Sequence, residues 1–241
     1  MTKLLYLENF TQLEAEAKVI EIKQEGEKIA VILDQTIFHP QGGGQPYDQG
    51  IIESVNGKFA VAEVRMTEEE AVNHFGQFVS GSFKSGEIVN LRVDDNRRQL
   101  NSRIHSAGHL LDLAVANLRL DWAPGKGYHF PDGPYVEYVG SLNGVDQEKL
   151  KQDLEAECNQ IVNQGKIVTV KFVTKVEATE ICRIVPDYFP VNKPGRLVMF
   201  GSFGVPCGGT HVSDLEEIGP MTVRKIKVEK DRVRVSYDVE R

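Results

Sequence analysis

Cysteine is scarce here: Cys158, Cys182 and Cys207 are all that a chain of 241 residues contains. An odd, widely spaced set excludes a disulfide framework and leaves at least one thiol to be explained by burial or by metal. Long apolar runs are missing too, and none approaches the roughly 20 residues needed to span a bilayer. The N-terminus, MTKLLYLENFTQLEAEAKV, carries acidic residues where a signal peptide needs an apolar stretch and a small-residue cleavage site, so the cytoplasm is the expected compartment. There is no excess of cations: Lys+Arg total 28 against Asp+Glu 35, a formal net charge of −7. That balance excludes coating nucleic acid by bulk electrostatics but not a local basic patch. The 22 glycines and 10 prolines show neither a collagen-like period nor a low-complexity block, which removes fibrous and disordered classes. What remains is a globular composition, 41% hydrophobic and 26% charged, with apolar material for one large core or two small ones.

The first ninety residues read as β-rich. Residues 18–23 and 28–33 alternate as a hairpin around Glu25-Gly26-Glu27. Residues 50–55 and 58–66 form a second, turning at Asn56-Gly57, and residues 87–93 are a further strand. Short strands at about ten-residue spacing predict a small barrel. From Asn96 to Leu118 apolar residues recur at helical spacing, and a second helix is expected from about Asp146 to Asn163, stopped by Gly165. Strands follow at 166–173 and 195–200, with a terminal hairpin over about 221–239. The expected class is α+β: a small N-terminal barrel over 1–90, then a mixed α/β domain over 91–241.

Two motifs carry chemistry. His105-Ser106-Ala107-Gly108-His109 lies inside the first helix, where residues i and i+4 share a face and both imidazoles can reach one ion. Cys207-Gly208-Gly209-Thr210-His211 places a thiol and an imidazole across a glycine pair that lets the backbone curl. By itself a histidine pair on a helix is as often a surface or core pair as a ligand set, and a lone CxxxH is weaker still. Four of the nine Cys and His residues in two such pairs is harder to dismiss. Three imidazoles and a thiolate suit Zn2+. His39, His74 and His129 have no comparable spacing, and Cys158 and Cys182 read as packing residues. A zincin protease needs Glu after its first histidine, where this chain has Ser106. A zinc finger would keep its ligands within about 25 residues. Here the two pairs lie most of a domain apart, an arrangement better suited to an active site.

NSRIHSAGHLL together with VPCGGTHV resembles the HxxxH and CxxxH pair of the alanyl-tRNA synthetase editing domain and its free-standing AlaX-type relatives. TIFHPQGGGQPYDQG upstream, DDNRR leading into the helix, and DGPYVEYVG extend the resemblance over nearly the whole chain. A barrel plus an editing domain is similar to the medium-length class, and ligase activity is not expected. The resemblance implies a zinc-containing hydrolase that deacylates mischarged tRNA(Ala), chiefly seryl-tRNA(Ala), with glycyl-tRNA(Ala) a candidate. It assigns His105, His109, Cys207 and His211 as ligands and catalytic residues. Whether the ion activates water or positions the substrate stays open, and four protein ligands favour positioning. Gly43, Gly44, Gln45 and Thr210 are candidate substrate contacts, although a tight turn explains the glycines equally well. Arg97, Arg98, Arg103, Lys126, Lys225, Lys227, Arg232 and Arg234 are candidate phosphate contacts. The segment Pro124-Gly125-Lys126-Gly127-Tyr128 lacks the glutamine of the synthetase pattern. Two alternatives remain: deacylation of seryl-tRNA(Thr), and a non-catalytic tRNA-binding module with structural zinc.

Overall fold

The computed structural model describes residues 1–142 and 144–240 and is a mixed α and β fold. The chain divides into two compact units, Met1–Gln99 and Leu100–Arg241.

Unit 1 contains, in order, β1 (Lys3–Leu4), β2 (Glu14–Glu25), β3 (Lys28–Leu33), β4 (Gln35–Thr36), β5 (Gly50–Glu53), β6 (Gly57–Met66), β7 (Val72–Gly81) and β8 (Ile88–Val93). Six of these close a barrel in the order β2-β3-β7-β6-β5-β8, every neighbour antiparallel. Alternation drives it: Val89, Leu91 and Val93 point inward from β8 while Ile88, Asn90 and Arg92 face out. The inward set meets Val19, Val31, Leu33, Ile52, Phe59 and Val61 in one core. Gly26, at φ 62°, makes the expected β2–β3 turn. β7 was not expected from the sequence, because Asn73, His74 and Gly76 interrupt its pattern. His74 is satisfied inside the barrel by the Thr36 hydroxyl at 2.8 Å and the Val31 carbonyl at 2.9 Å. Burial pushes its pKa down to about 4, so it is neutral at physiological pH.

Arg98, expected to meet phosphate, is instead sealed inside unit 1. Arg98 is 2% exposed, and its guanidinium grips the equally buried Asp48 while donating to the carbonyls of Phe10 at 2.9 Å and Ile37 at 2.7 Å. Asp48 Oδ2 also accepts the His39 N–H at 2.6 Å. Arg98 is a structural cation of unit 1, and burial removes it from any phosphate.

Unit 2 is built on α1 (Asp95–Asn117), β9 (Ala123–Tyr128), β10 (Tyr135–Val139), α2 (Gln147–Gln164), β11 (Val168–Val173), α3 (Lys175–Ile181), β12 (Gly195–Phe200), β13 (Phe203–Pro206), β14 (Met221–Glu229) and β15 (Arg232–Val239). Asp94 caps α1 by accepting the Arg97 N–H at 3.1 Å, and Gly165, at φ 58°, ends α2. One antiparallel sheet runs β14-β15-β10-β9 and a second β11-β12-β13. α1 lies against the inner face of the larger sheet, where the Tyr237 hydroxyl donates to the Ile104 carbonyl at 2.8 Å and Tyr138 to Asp112 at 2.9 Å. α2 covers the β14 edge: Asn159 pairs with Met221 through both backbone groups, and Glu155 accepts the Val223 N–H at 2.8 Å. Cys158 and Cys182 are buried, and burial raises both thiols, as befits packing residues.

Removing one half of a buried ion pair strands the other. Asp48→Ala is therefore expected to lower unfolding free energy by about 3–5 kcal/mol, seen as a lower urea midpoint. A change below about 1 kcal/mol would mean the pair is dispensable.

Candidate metal centre

His105 and His109 lie one turn apart on α1, their rings 5.0 Å apart and 29° from parallel. The strand β13 leads directly into Cys207, and the loop after it returns His211 to the same place. The ligand atoms of His105, His109, Cys207 and His211 all lie within 4.8 Å of one another, close enough to hold one metal ion. His105 Nε2 is 3.5 Å and His211 Nε2 is 3.4 Å from the Cys207 sulfur. His109 Nε2 is buried with no hydrogen-bond partner among the described residues. A buried, unpaired imidazole nitrogen is costly unless something else binds it, which is the signature of a ligand position.

Two of the three rings are held from the far side. His109 Nδ1 is 3.2 Å from Asp112, whose other oxygen accepts from Tyr138. His211 Nδ1 is 3.1 Å from the Ser106 hydroxyl, which also accepts the Val212 N–H at 3.2 Å. Ser106, the residue that excluded a zincin, is thus a ligand support. The Gly209 N–H donates to the Cys207 sulfur at 3.3 Å. Burial pushes the Cys207 thiol up, but the charge of His109, the Gly209 N–H and the charge of Arg196 together outweigh it, so its pKa is lowered. Burial pushes His109 down, and the Cys207 charge and Asp112 reverse that, leaving it raised. The cluster favours a thiolate, the form a metal needs.

Sequence spacing missed His129. Its ring stacks on His105 at 4.4 Å and 21°, and its Nδ1 is 2.7 Å from the Tyr237 hydroxyl. That hydroxyl gives its proton to Ile104, so His129 Nδ1 is the donor. Burial, with the His109 charge, lowers the His129 pKa to about 3, so the ring is neutral. A Cβ on Gly108 would come within 2.3 Å of His129 Cε1, and one on Gly127 within 2.3 Å of its Nε2. The glycine inside HSAGH is the available clue: a helix interior disfavours it by about 1 kcal/mol unless something approaches closely.

The other expected site residues are more dispersed. Thr210 is fully buried, its hydroxyl 2.8 Å from Ser102. Gly43 and Gly44 belong to unit 1, at φ 56° and 77°, the two central residues of a turn closed by Gln45 N–H to the Gly42 carbonyl at 2.9 Å. Backbone conformation alone requires glycine at both, and the Gln45 side chain is buried. Arg97 is half-buried, bonded to the Tyr47 carbonyl. Arg103 donates to the carbonyls of Ile218 and Glu240. Lys126, Lys225, Lys227 and Arg232 are exposed, while Arg234 pairs with Glu137 at 2.6 Å.

Fold and cluster define a mixed α/β protein whose second unit gathers three histidines and one cysteine able to hold a metal ion. The family described as tRNA synthetases class II (A) matches residues 3–97. Alanyl-tRNA editing protein AlaX-M of Pyrococcus horikoshii is 34% identical over 234 residues, covering 94% of this chain and 91% of its own. AlaX-L of the same organism is 29% identical over 98% of this chain and 58% of its own. An alanine–tRNA ligase of Burkholderia multivorans is 30% identical over 83% of this chain but only 23% of the ligase. The chain therefore spans little more than half of AlaX-L and under a quarter of the ligase. It belongs to the AlaX family of alanyl-tRNA editing proteins. Among the described residues no helix is long and apolar enough to cross a membrane.

Two substitutions test the support of the cluster. Asp112→Asn is expected to weaken divalent-metal affinity about 10–100-fold, measured by competition with a chromophoric chelator. Gly108→Ala, which in an ordinary helix would add up to about 1 kcal/mol, is expected to destabilise by about 1–3 kcal/mol because the methyl meets His129. A rise in melting temperature would show that His129 yields freely.

Proposed function

We propose that the protein is a trans-editing hydrolase that cleaves the ester joining a wrong amino acid to tRNA(Ala), chiefly serine and secondarily glycine. The observation that carries this reading is the convergence of four ligand atoms, drawn from α1 and the loop after β13, in a chain of the AlaX family. The need for such a reaction is physical. A pocket for alanine cannot sterically refuse glycine, and serine adds one hydroxyl, so binding alone discriminates by roughly 10–200-fold and a second hydrolytic sieve is required.

The donor set fits zinc, which takes nitrogen and sulfur ligands tetrahedrally, and His105, His109, Cys207 and His211 would hold it. When bound, the ion would supply positive charge and Lewis acidity next to the ester and the terminal nucleotide. With four protein ligands we assign it to positioning the substrate. Asp112 and Ser106 keep the imidazoles of His109 and His211 aimed inward, and His129 keeps the His105 ring from turning. We assign Thr210, which directly precedes His211 in CxxxH, to the amino-acid side of the substrate. The Gly43–Gly44 turn is assigned to the tRNA substrate through its backbone N–H groups, with Gln45 closing that turn. In this reading residues 1–90 form a translation-protein-like barrel and 91–241 the editing domain, acting in the cytoplasm. Lys126, Lys225, Lys227, Arg232 and Arg234 carry the phosphate contacts.

The test is metal content of chelator-free protein together with hydrolysis of seryl-tRNA(Ala), glycyl-tRNA(Ala), seryl-tRNA(Thr) and correctly charged alanyl-tRNA(Ala). Stoichiometric zinc, rapid loss of serine from tRNA(Ala) and an intact alanyl ester are expected; faster release from tRNA(Thr) would reassign the substrate. His105→Ala is expected to abolish hydrolysis with the melting curve retained. Global unfolding of that variant, with a parent inactive on every ester, would mean a structural metal in a binding module. KM for tRNA should rise steeply between about 50 and 300 mM KCl, as displaced counterions require.

A further inference from the structure

On the outer face of the β14-β15-β10-β9 sheet, three aromatic rings form a column. Phe130 stacks on Tyr128 at 4.6 Å and 17°, and Tyr128 stacks on Tyr135 at 5.3 Å and 16°. The Arg234 guanidinium closes the far end, 4.3 Å from the Tyr135 ring centroid. Neither rings nor guanidinium belong to the core. Tyr128, Phe130, Tyr135 and Arg234 are all partly exposed, whereas the opposite face, with Val136, Tyr138 and Tyr237, is buried against α1. We propose that this column is the stacking platform for the unpaired 3′ nucleotides of the tRNA acceptor end, a base continuing the stack on Phe130. The inference rests on the deacylase reading and adds the surface that holds the substrate's single strand.

Three features point to RNA over a protein partner. Tyr128 and Tyr135 already cover each other, and Arg234 covers the next face, so the column is built and immobilised before any ligand arrives. Its remaining terminus is the Phe130 ring, and a planar base is what extends such a stack. Cations share this face by register. Lys225 lies opposite Ser236, which lies opposite Tyr135 and then Tyr128, forming one row across all four strands. Lys227 lies opposite Arg234 in the next row. Lys225 and Lys227 are exposed and supply phosphate-binding charge on a chain whose net charge is −7. Of the acidic groups on the face, Glu137 is engaged by Arg232 and Arg234, Asp238 by Arg224, and Asp132 by the Tyr128 hydroxyl at 3.2 Å. Finally, β9 is an edge strand, and His129, between Tyr128 and Phe130 in the chain, turns the other way onto His105. A base on Phe130 is therefore one residue along the chain from the imidazole that packs on the metal cluster.

The experiment uses the full chain and two minihelix RNAs, one ending in an unpaired ACCA with 2-aminopurine as its last base, the other blunt. Stacking on the column should quench the 2-aminopurine in the parent protein. Phe130→Leu, which keeps the apolar bulk, should abolish quenching and weaken binding of the overhang RNA by about tenfold while leaving blunt-RNA affinity unchanged. Phe130→Tyr should restore both. Tyr135→Leu, which removes the seat of Arg234 and interrupts the column, should give a partial loss. Absence of quenching in the parent, or equal loss of both RNAs in Phe130→Leu, overturns the platform. If the parent hydrolyses seryl-tRNA(Ala) while Phe130→Leu binds and quenches normally, the platform alone falls. If the parent neither binds these RNAs nor cleaves the ester, the deacylase reading falls with it.

Discussion

Three imidazoles and a thiol share a space of a few ångströms only because each donor is held from behind. Left to themselves, like groups in a buried cluster turn outward to find water or a hydrogen-bond partner, and an unpaired buried nitrogen is costly. Here Asp112 holds His109, Ser106 holds His211, the His129 ring lies flat on His105, and the Gly209 N–H steadies the sulfur. Most of unit 2 serves this restraint. α1 supplies two rings and two supports, the larger sheet brings His129, Tyr138 and Tyr237 up beneath them, and the smaller sheet ends in the loop that carries Cys207.

The cost of this arrangement is visible in the helix. A glycine in the middle of α1 gives up helix propensity, and the gain is a gap into which an imidazole fits flat. Gly127 forms the other wall of the same slot. The site is thus set by what two residues lack as much as by what four residues offer.

Much of this is legible in the amino-acid sequence. Alternation revealed β2, β3, β6 and β8, and helical periodicity located α1 and α2 to within a residue or two, because each buries one face and polar residues mark the other. β7 was not legible, since Asn73 and His74 are buried polar residues and Gly76 lets the Ala60 carbonyl come closer than a Cβ would allow. β9 was hidden by its proline and glycines. The HxxxH and CxxxH spacings announced the four side chains that cluster, and Asp112, three residues after His109 on the same helix, was within reach of the same logic. His129 was not, because the sheet brings it to His105 and no helical or loop spacing records that. Arg98 shows the converse failure: a basic cluster in sequence looks like a phosphate grip until tertiary folding seals one member against Asp48.

The larger sheet has two dissimilar margins. Along β14 the side chains of Asn159 and Glu155 occupy backbone groups that a further strand would use. Along β9, Pro124 has no N–H to give, and Gly125 and Gly127 weaken the ladder. The sheet is therefore closed to self-recruitment by substitution on one flank and by backbone chemistry on the other. Such a body can keep a bare aromatic surface in a crowded solution without that surface becoming the seed of a fibril.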